Sequence, residues 1–448
     1  MNNLVDLARK LASGKTSSRE LVETCLEHIE APGGEGERVF LSLYTQRAIT
    51  EAAVVDEARK RGWSVPRYAG IPISIKDLFD TEGEVTRAAS RVLELNPPAQ
   101  RDAPVVQLLR QAGFIILGKT NMTEFAYSGL GMNAHFGTPK NPFDRASGRI
   151  PGGSTAGGAV SVADKMAYAT IGTDTGGSCR IPAALCGIVG FKPTSARVSR
   201  DGVIPLSQSL DSIGPLANSV SCCAVLDSLL SGGPGDDVES FPESGLRLAV
   251  LDSYVNESLD ETVAQAYEEA LVRLSRRGVK LTPIRIPELS ELPVINRKGG
   301  LVGAEAYAWH QNLLETRGDY YDAWIRARFE AGKSQTAADY IELLQKRQWM
   351  QSLVEARTHM FDAMVLPSVQ IMAPTIAQMK DPELSAATNL LLLRNTAIGN
   401  FLDRPAISVP CHQSGTAPVG LMLMGRRNED RQLLSIARGL EYTIRPEL

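Results

Sequence analysis

The 448-residue chain has little that would mark a metal centre, a membrane anchor or a nucleic-acid surface. Its six cysteines, Cys25, Cys179, Cys186, Cys222, Cys223 and Cys411, form no C-x-x-C pair, which excludes zinc-ribbon and thioredoxin-like readings. Its five histidines, His28, His135, His310, His359 and His412, form no H-E-x-x-H pattern, so a zincin-type centre is excluded as well. No apolar run reaches the roughly 18 uncharged residues of a spanning helix. The formal net charge is −4 and the cations are scattered, which argues against a non-specific nucleic-acid or polybasic membrane surface. The densest cationic cluster, Arg59-Lys60-Arg61, precedes Gly62 and reads as the last turn of a helix, where cations meet the negative end of the dipole. The opening stretch MNNLVDLARKLASGK lacks an apolar h-region and reads as an amphipathic helix. The expectation is a cytoplasmic protein with reduced thiols and no bound metal.

What is present is ordinary in bulk. Hydrophobic residues make up 43% and charged residues 22%, as in a soluble globular protein with an ample core. Length alone would suit two or three domains. The first 62 residues read as mostly helical, with a capping box at Ser17-x-x-Glu20. Strand-like runs are expected at 71–76, 114–117, 167–173, 187–191, 247–252, 279–286, 363–366, 406–409 and 419–424. Helices are expected at 103–112, 259–277 and 429–441, with further helices after 155 and after the glycine turn near 176. Residues 290–360 read as a helical peripheral lobe. Strands mixed with helices imply an α/β sheet covered on both faces.

The informative feature is glycine. Residues 113–190 hold fifteen of the thirty-nine glycines. Residues 128–153 form a long Gly-, Pro- and Asn-rich loop, and such a loop in a compact domain is usually functional or disordered. The Walker-like spelling Gly113-Phe-Ile-Ile-Leu-Gly118-Lys119-Thr120 is rejected, because Phe-Ile-Ile-Leu reads as a buried strand and not as an open phosphate cradle. Two glycine-bracketed serines, Ser154 and Ser178, lie twenty-four residues apart. Neither sits in a G-x-S-x-G elbow, which weakens an α/β-hydrolase reading. The run Thr175-Gly176-Gly177-Ser178 can point successive N–H groups into one concavity suited to an oxyanion. A serine nucleophile needs a base. With His135 the one histidine placed to reach a site, and a structural role the plainer reading for it, lysine becomes the candidate. Lys76 ends an apolar strand, and burial there would depress its pKa.

These residues resemble the amidase signature family. The similarity covers Lys76, residues 151–158, the stretch from Gly172 to Thr194 and Ser209-Leu210-Asp211-Ser212-Ile213-Gly214-Pro215-Leu216, with a weaker echo at Pro405-Ala406-Ile407-Ser408-Val409-Pro410. The resemblance implies a single α/β/α domain over 1–448, built around a large mixed β-sheet. It implies a triad of Lys76, Ser154 after a cis peptide, and Ser178 as nucleophile. It further implies an oxyanion hole from the N–H groups of Thr175, Gly176, Gly177 and Ser178, and no cofactor. Asp174 and Arg180 flank the turn and are expected to brace it. The family usually carries Ser-Ser or Ser-Gly variants after its first serine, whereas Thr155 and Ala156 stand here. Thr155 keeps a hydroxyl that could support the loop.

The implied reaction is hydrolysis of a C–N bond of a small amide, urea or carbamate through an acyl-enzyme. The residues Tyr127, Leu130, Gly131 and Met132 are expected to line the acyl side, which suggests a modestly apolar substrate. Trp309, Tyr307, Tyr320 and Tyr321 are expected to serve packing rather than the entrance. The rival within the family is the glutamine-hydrolysing component of a tRNA-dependent amidotransferase. Such proteins carry a polar Ser-Ser-Thr-Glu stretch where this chain has Gly129-Leu130-Gly131-Met132, which favours a stand-alone hydrolase. A non-enzymatic binding protein on the same scaffold is disfavoured because all three triad residues are present. The expected partner is a small-molecule amide, with neither nucleic acid nor membrane, and a homodimer is left open.

Overall fold

A computed structural model describes residues 3–445. The chain termini at 1–2 and 446–448, included in the expected 1–448 domain, lie outside the described residues. Eleven strands among those residues belong to one mixed sheet. They are β1 (Phe40–Leu43), β2 (Pro72–Lys76), β3 (Ile115–Thr120), β4 (Ala169–Asp174), β5 (Val189–Lys192) and β6 (Ser212–Ala217), followed by β7 (Arg247–Leu251), β8 (Lys280–Ile284), β9 (Ala363–Pro367), β10 (Ala406–Pro410) and β11 (Gly420–Met424). Their order is β1-β3-β2-β4-β6-β5-β10-β11-β9-β7-β8. Strands β3, β2 and β4 run parallel as neighbours, as do β9, β7 and β8. The remaining pairs are antiparallel.

Strand residues alternate between two apolar cores, as the two-residue period of a strand dictates. Leu248, Val250, Val365, Leu421 and Leu423 enter one core, with the helices Val220–Leu230, Glu261–Arg276 and Asp430–Ile444. Ala249, Leu251, Met364, Leu366, Met422 and Met424 enter another, with Met350, Val354, Ile398 and Phe401. Both faces are therefore covered, and the fold is the expected α/β sandwich around a large mixed sheet.

The nine expected strands form, eight of them within two residues of their expected bounds, while β3 ends three residues later than expected. Two strands, β1 and β6, were not expected, nor were the helices Val220–Leu230 and Pro382–Phe401. The capping box at Ser17 and Glu20 is present. Helix Thr45–Lys60 ends in Arg59 and Lys60, and Gly62 follows at φ +71°. The Walker-like segment runs into β3, whose residues are all buried. The 290–360 stretch contains the helices Gly300–Arg317, Ala323–Ala331 and Ala337–Thr358. No helix among the described residues is long and apolar enough to cross a membrane.

The parallel trio β3-β2-β4 positions the site. Parallel neighbours end at one edge of the sheet, and α/β ligand sites lie outside such carboxyl ends. Lys76 closes β2, Asp174 closes β4, and the 121–132 loop follows β3.

Candidate active site

Lys76 is fully buried, and its Nζ donates to Ser154 Oγ at 2.7 Å and to Thr173 Oγ1 at 3.0 Å. Burial pushes its pKa down to about 8, against an opposing pull from Asp211 and Asp174. The Gly153–Ser154 peptide is cis. Ser154 O accepts from Thr123 N–H at 3.1 Å, and Thr155 N–H donates to Ser178 O at 3.3 Å. That bond ties the two serine loops together through backbone. The two serine hydroxyls share no hydrogen bond among the described residues.

Ser178 follows a turn whose amides are free of internal partners. Among the described residues, the N–H groups of Gly176, Gly177 and Ser178 donate to no protein acceptor, while Gly177 O accepts from Ile181 N–H at 2.7 Å. Gly177 adopts φ +142°, a conformation natural to glycine. Thr175 turns its hydroxyl away, donating to Asp211 Oδ1 at 2.5 Å. Asp211 also accepts from Leu206 and Ser207 N–H.

Beneath the turn lies a buried ion pair. Arg180 donates from Nη2 to Asp174 Oδ1 at 2.8 Å and from Nε to Oδ2 at 3.0 Å, with both side chains wholly buried. Burial alone would raise the Asp174 carboxyl, but Arg180 outweighs it and holds the group at about 2. Cys179 N–H donates to Asp174 Oδ2, and Asn400 Nδ2 donates to both Asp174 O and Oδ1. Buried carboxylate and guanidinium are thus bidentate and fully surrounded by partners, the condition under which such a pair is tolerated. Cys179 itself is buried, and burial pushes its thiol well above the usual range.

A cavity of about 690 Å³ reaches Ser178. Its wall holds Tyr127, Ser128, Thr175 and Gly176 on the sheet side, and apolar residues such as Leu206, Leu301, Leu390 and Leu393 on the other. Two cations line it. Arg394 pairs with Glu257 and stacks on Tyr254 at 4.2 Å. Arg328 stacks on Tyr127 at 4.3 Å and on Trp324 at 5.0 Å. It forms no ion pair among the described residues, and its Nε is buried without a hydrogen-bond partner.

The geometry therefore gathers Lys76, Ser154, Ser178, Thr175, Gly176 and Gly177 at one place, with Asp174 and Arg180 bracing the turn. Tyr127 faces the cavity as expected. Leu130 and Met132 do not: they line a separate cavity of about 240 Å³ with Thr123, Glu124 and Trp324. The cause is a pinned loop. Asn389 accepts from Gly129 N–H at 2.8 Å and from Ser128 Oγ at 3.1 Å. The chain then turns at Gly131, φ +81°, which packs against Gly152 too closely for any Cβ. Thr155 supports its loop through its N–H and by packing on Gly172, while its hydroxyl is buried without a partner among the described residues. His135 pairs with Glu124 at 2.9 Å. Tyr321 bonds His310 at 2.7 Å in an aromatic cluster with Phe125 and Phe329, a packing role.

Sequence reasoning missed Asp211, Asn389, Thr396 and Asn400. The last three share one face of helix Pro382–Phe401 at spacings of seven and four. Three polar residues in register along a leucine-rich helix were the signal available.

A family model described as Amidase matches residues 20–434. The 2-amino-5-chloromuconic acid deaminase of Comamonas testosteroni is 32% identical over 99% of this chain and 96% of that protein. A glutamyl-tRNA(Gln) amidotransferase component from Chloroflexus aggregans is 33% identical over 98% of this chain and 96% of that protein. The crystal structure of an amidase matches with a TM-score of 0.88 at 30% identity, covering 98% of this chain and 99% of the other.

Proposed function

The chain belongs to the amidase signature family, and from that premise we propose that it hydrolyses the C–N bond of a small linear amide carrying a carboxylate, through an acyl-enzyme on Ser178. The observation that carries the substrate class is Arg328, a cation in the wall of the Ser178 cavity with no carboxylate partner among the described residues. Its buried, unpaired Nε lacks the partner that a buried charged donor ordinarily has. A planar carboxylate matches a guanidinium in charge and geometry. The acid named for the Comamonas relative points the same way.

In this mechanism neutral Lys76 takes a proton from Ser154 while Ser154 takes one from Ser178. The Ser178 oxygen attacks the amide carbonyl, and charge develops opposite the N–H groups of Gly176, Gly177 and Ser178. Donors already in place at that point stabilise the tetrahedral intermediate without reorganisation. The relay returns a proton to the leaving nitrogen, and water then hydrolyses the ester. The 2.7 Å contact of Lys76 with Ser154 and the lowered lysine pKa support the first transfer.

The test is ammonia release by the purified chain, using half-amides of dicarboxylic acids beside their methyl esters. The free acids are expected to react faster, and equal rates on the neutral esters would overturn the substrate class. The amidotransferase reading, favoured by the Chloroflexus relative, predicts turnover only with partner proteins and tRNA.

A further inference from the structure

Helix Pro382–Phe401 lines the cavity with Leu390, Leu393, Arg394 and Ala397. It also sends one hydroxyl to the turn before Ser178. Thr396 Oγ1 donates to Gly176 O at 2.6 Å, from a side chain that is fully buried. A threonine inside a helix ordinarily bonds back to a carbonyl one turn earlier. Here that alternative, Leu393 O, is 3.3 Å away, so the shorter bond leaves the helix for the turn.

The consequence follows from peptide geometry. Gly176 O and Gly177 N–H belong to one planar unit, and in a trans peptide they point in opposite directions. The 176–177 bond is trans, since Gly153–Ser154 is the cis bond of the chain's described residues. Holding the carbonyl from behind fixes where the N–H points in front. It also polarises that N–H, because hydrogen bonds through one amide reinforce each other. A second observation agrees: a Cβ at Gly177 would collide with Thr396, so the approach is as close as glycine permits. The next peptide is held likewise, by Ile181 N–H on Gly177 O.

We propose that Thr396 is a positioning residue that displays the Gly177 N–H to the oxyanion, tying the oxyanion turn to the wall of the substrate cavity. The inference rests on Ser178 being the nucleophile. Its role is in the transition state, so the loss of its hydroxyl slows the chemical step and leaves ground-state binding in place.

The test is the labelling rate of the full chain by an alkyl fluorophosphonate. Ser178 Oγ displaces fluoride from phosphorus, its proton leaves through Ser154, and the phosphoryl oxygen takes the developing charge. Thr396→Val keeps the shape and removes the hydroxyl. Its maximal inactivation rate is expected to fall about 10- to 100-fold, with the half-saturating probe concentration unchanged. Thr396→Ser restores the hydroxyl and is expected to recover to within about threefold. Should the valine variant fail to fold by thermal unfolding, Thr396→Ala serves as the loss variant. Wild-type labelling of Thr396→Val beside an unlabelled Ser178→Ala would overturn the inference and leave the nucleophile standing. Equal slowing in the serine and valine variants would also overturn it, by pointing to packing. A wild-type chain that takes no label at Ser178 would overturn both.

Discussion

The two sides of the cavity are built on opposite terms. On the sheet side Lys76, Ser154, Asp174 and Arg180 show no exposure at all, and each is held by hydrogen bonds from strand ends or neighbouring loops. On the helical side Leu390 is 69% exposed, Arg394 leans on Tyr254, and Arg328 is steadied by aromatic faces. A reaction needs donors held within about half an ångström, and a close-packed sheet edge supplies that. Substrate choice needs only a shaped, partly apolar wall with a charge in it.

Breaking the sheet side should cost most. Ser178→Ala and Lys76→Met are expected to lower kcat by about 10⁴-fold or more, with Ser154→Ala close behind, because groups that act as a unit fail together. Steady-state turnover of wild type and variants at equal folded concentration checks this, and wild-type turnover in Ser178→Ala would end the mechanism. The same side sets the pH profile. As the proposed base, Lys76 would serve only when neutral, and burial lowers its pKa to about 8. Activity is therefore expected to rise with pH and to fall about tenfold per unit below that value. A flat profile from pH 6 to 9 would exclude lysine as base. Next in size is the brace. Arg180→Met strands the buried Asp174 charge and is expected to destabilise the chain by about 3–5 kcal/mol, read by denaturant unfolding.

The contrast between the sides also decides what the sequence could reveal. Lys76 at the end of an apolar strand and Ser178 after two glycines advertise themselves, because burial and tight turns leave compositional marks. β6 does not: it sits inside the sheet between β4 and β5 yet carries Gly214 and Pro215, residues that argue against a central strand. β1 is four residues at a sheet edge, too short to show alternation. Helix Pro382–Phe401 inverts the usual pattern. Its Asn389, Asn395, Thr396 and Asn400 are buried, while Leu384 and Leu390 are exposed. A reading that sends polar residues to solvent cannot find a helix whose polar face grips the turn before Ser178. Leu130 and Met132 were misplaced for a related reason, since the turn at Gly131 depends on Asn389, some 260 residues away.

On the helical side the expected effects are smaller and touch binding more than rate. Arg328→Met should raise KM for a carboxylate-bearing amide about 10- to 100-fold, the worth of hydrogen bonds to a charged group. Its kcat should stay within about threefold, since uniform binding is what is lost. The methyl ester of the same substrate should be indifferent to the change, and an equal loss on acid and ester would assign Arg328 to packing against Tyr127 and Trp324.

Leu390→Ser sharpens the comparison from its weakest point. Leu390 lines the cavity while remaining mostly exposed, so little apolar area leaves water there. Stability should move by no more than about 0.5 kcal/mol. KM should rise by about threefold at most, because burial of a side-chain fragment is worth little when most of the side chain stays wet. Unlike the arginine variant, it should affect acid and ester alike, since an apolar contact does not read charge. Measuring both variants on both substrates separates the two contributions of one wall. A leucine effect that tracked the carboxylate would mean that helix Pro382–Phe401 moves with the acid group, and the division between a fixed sheet side and an independent wall would fail.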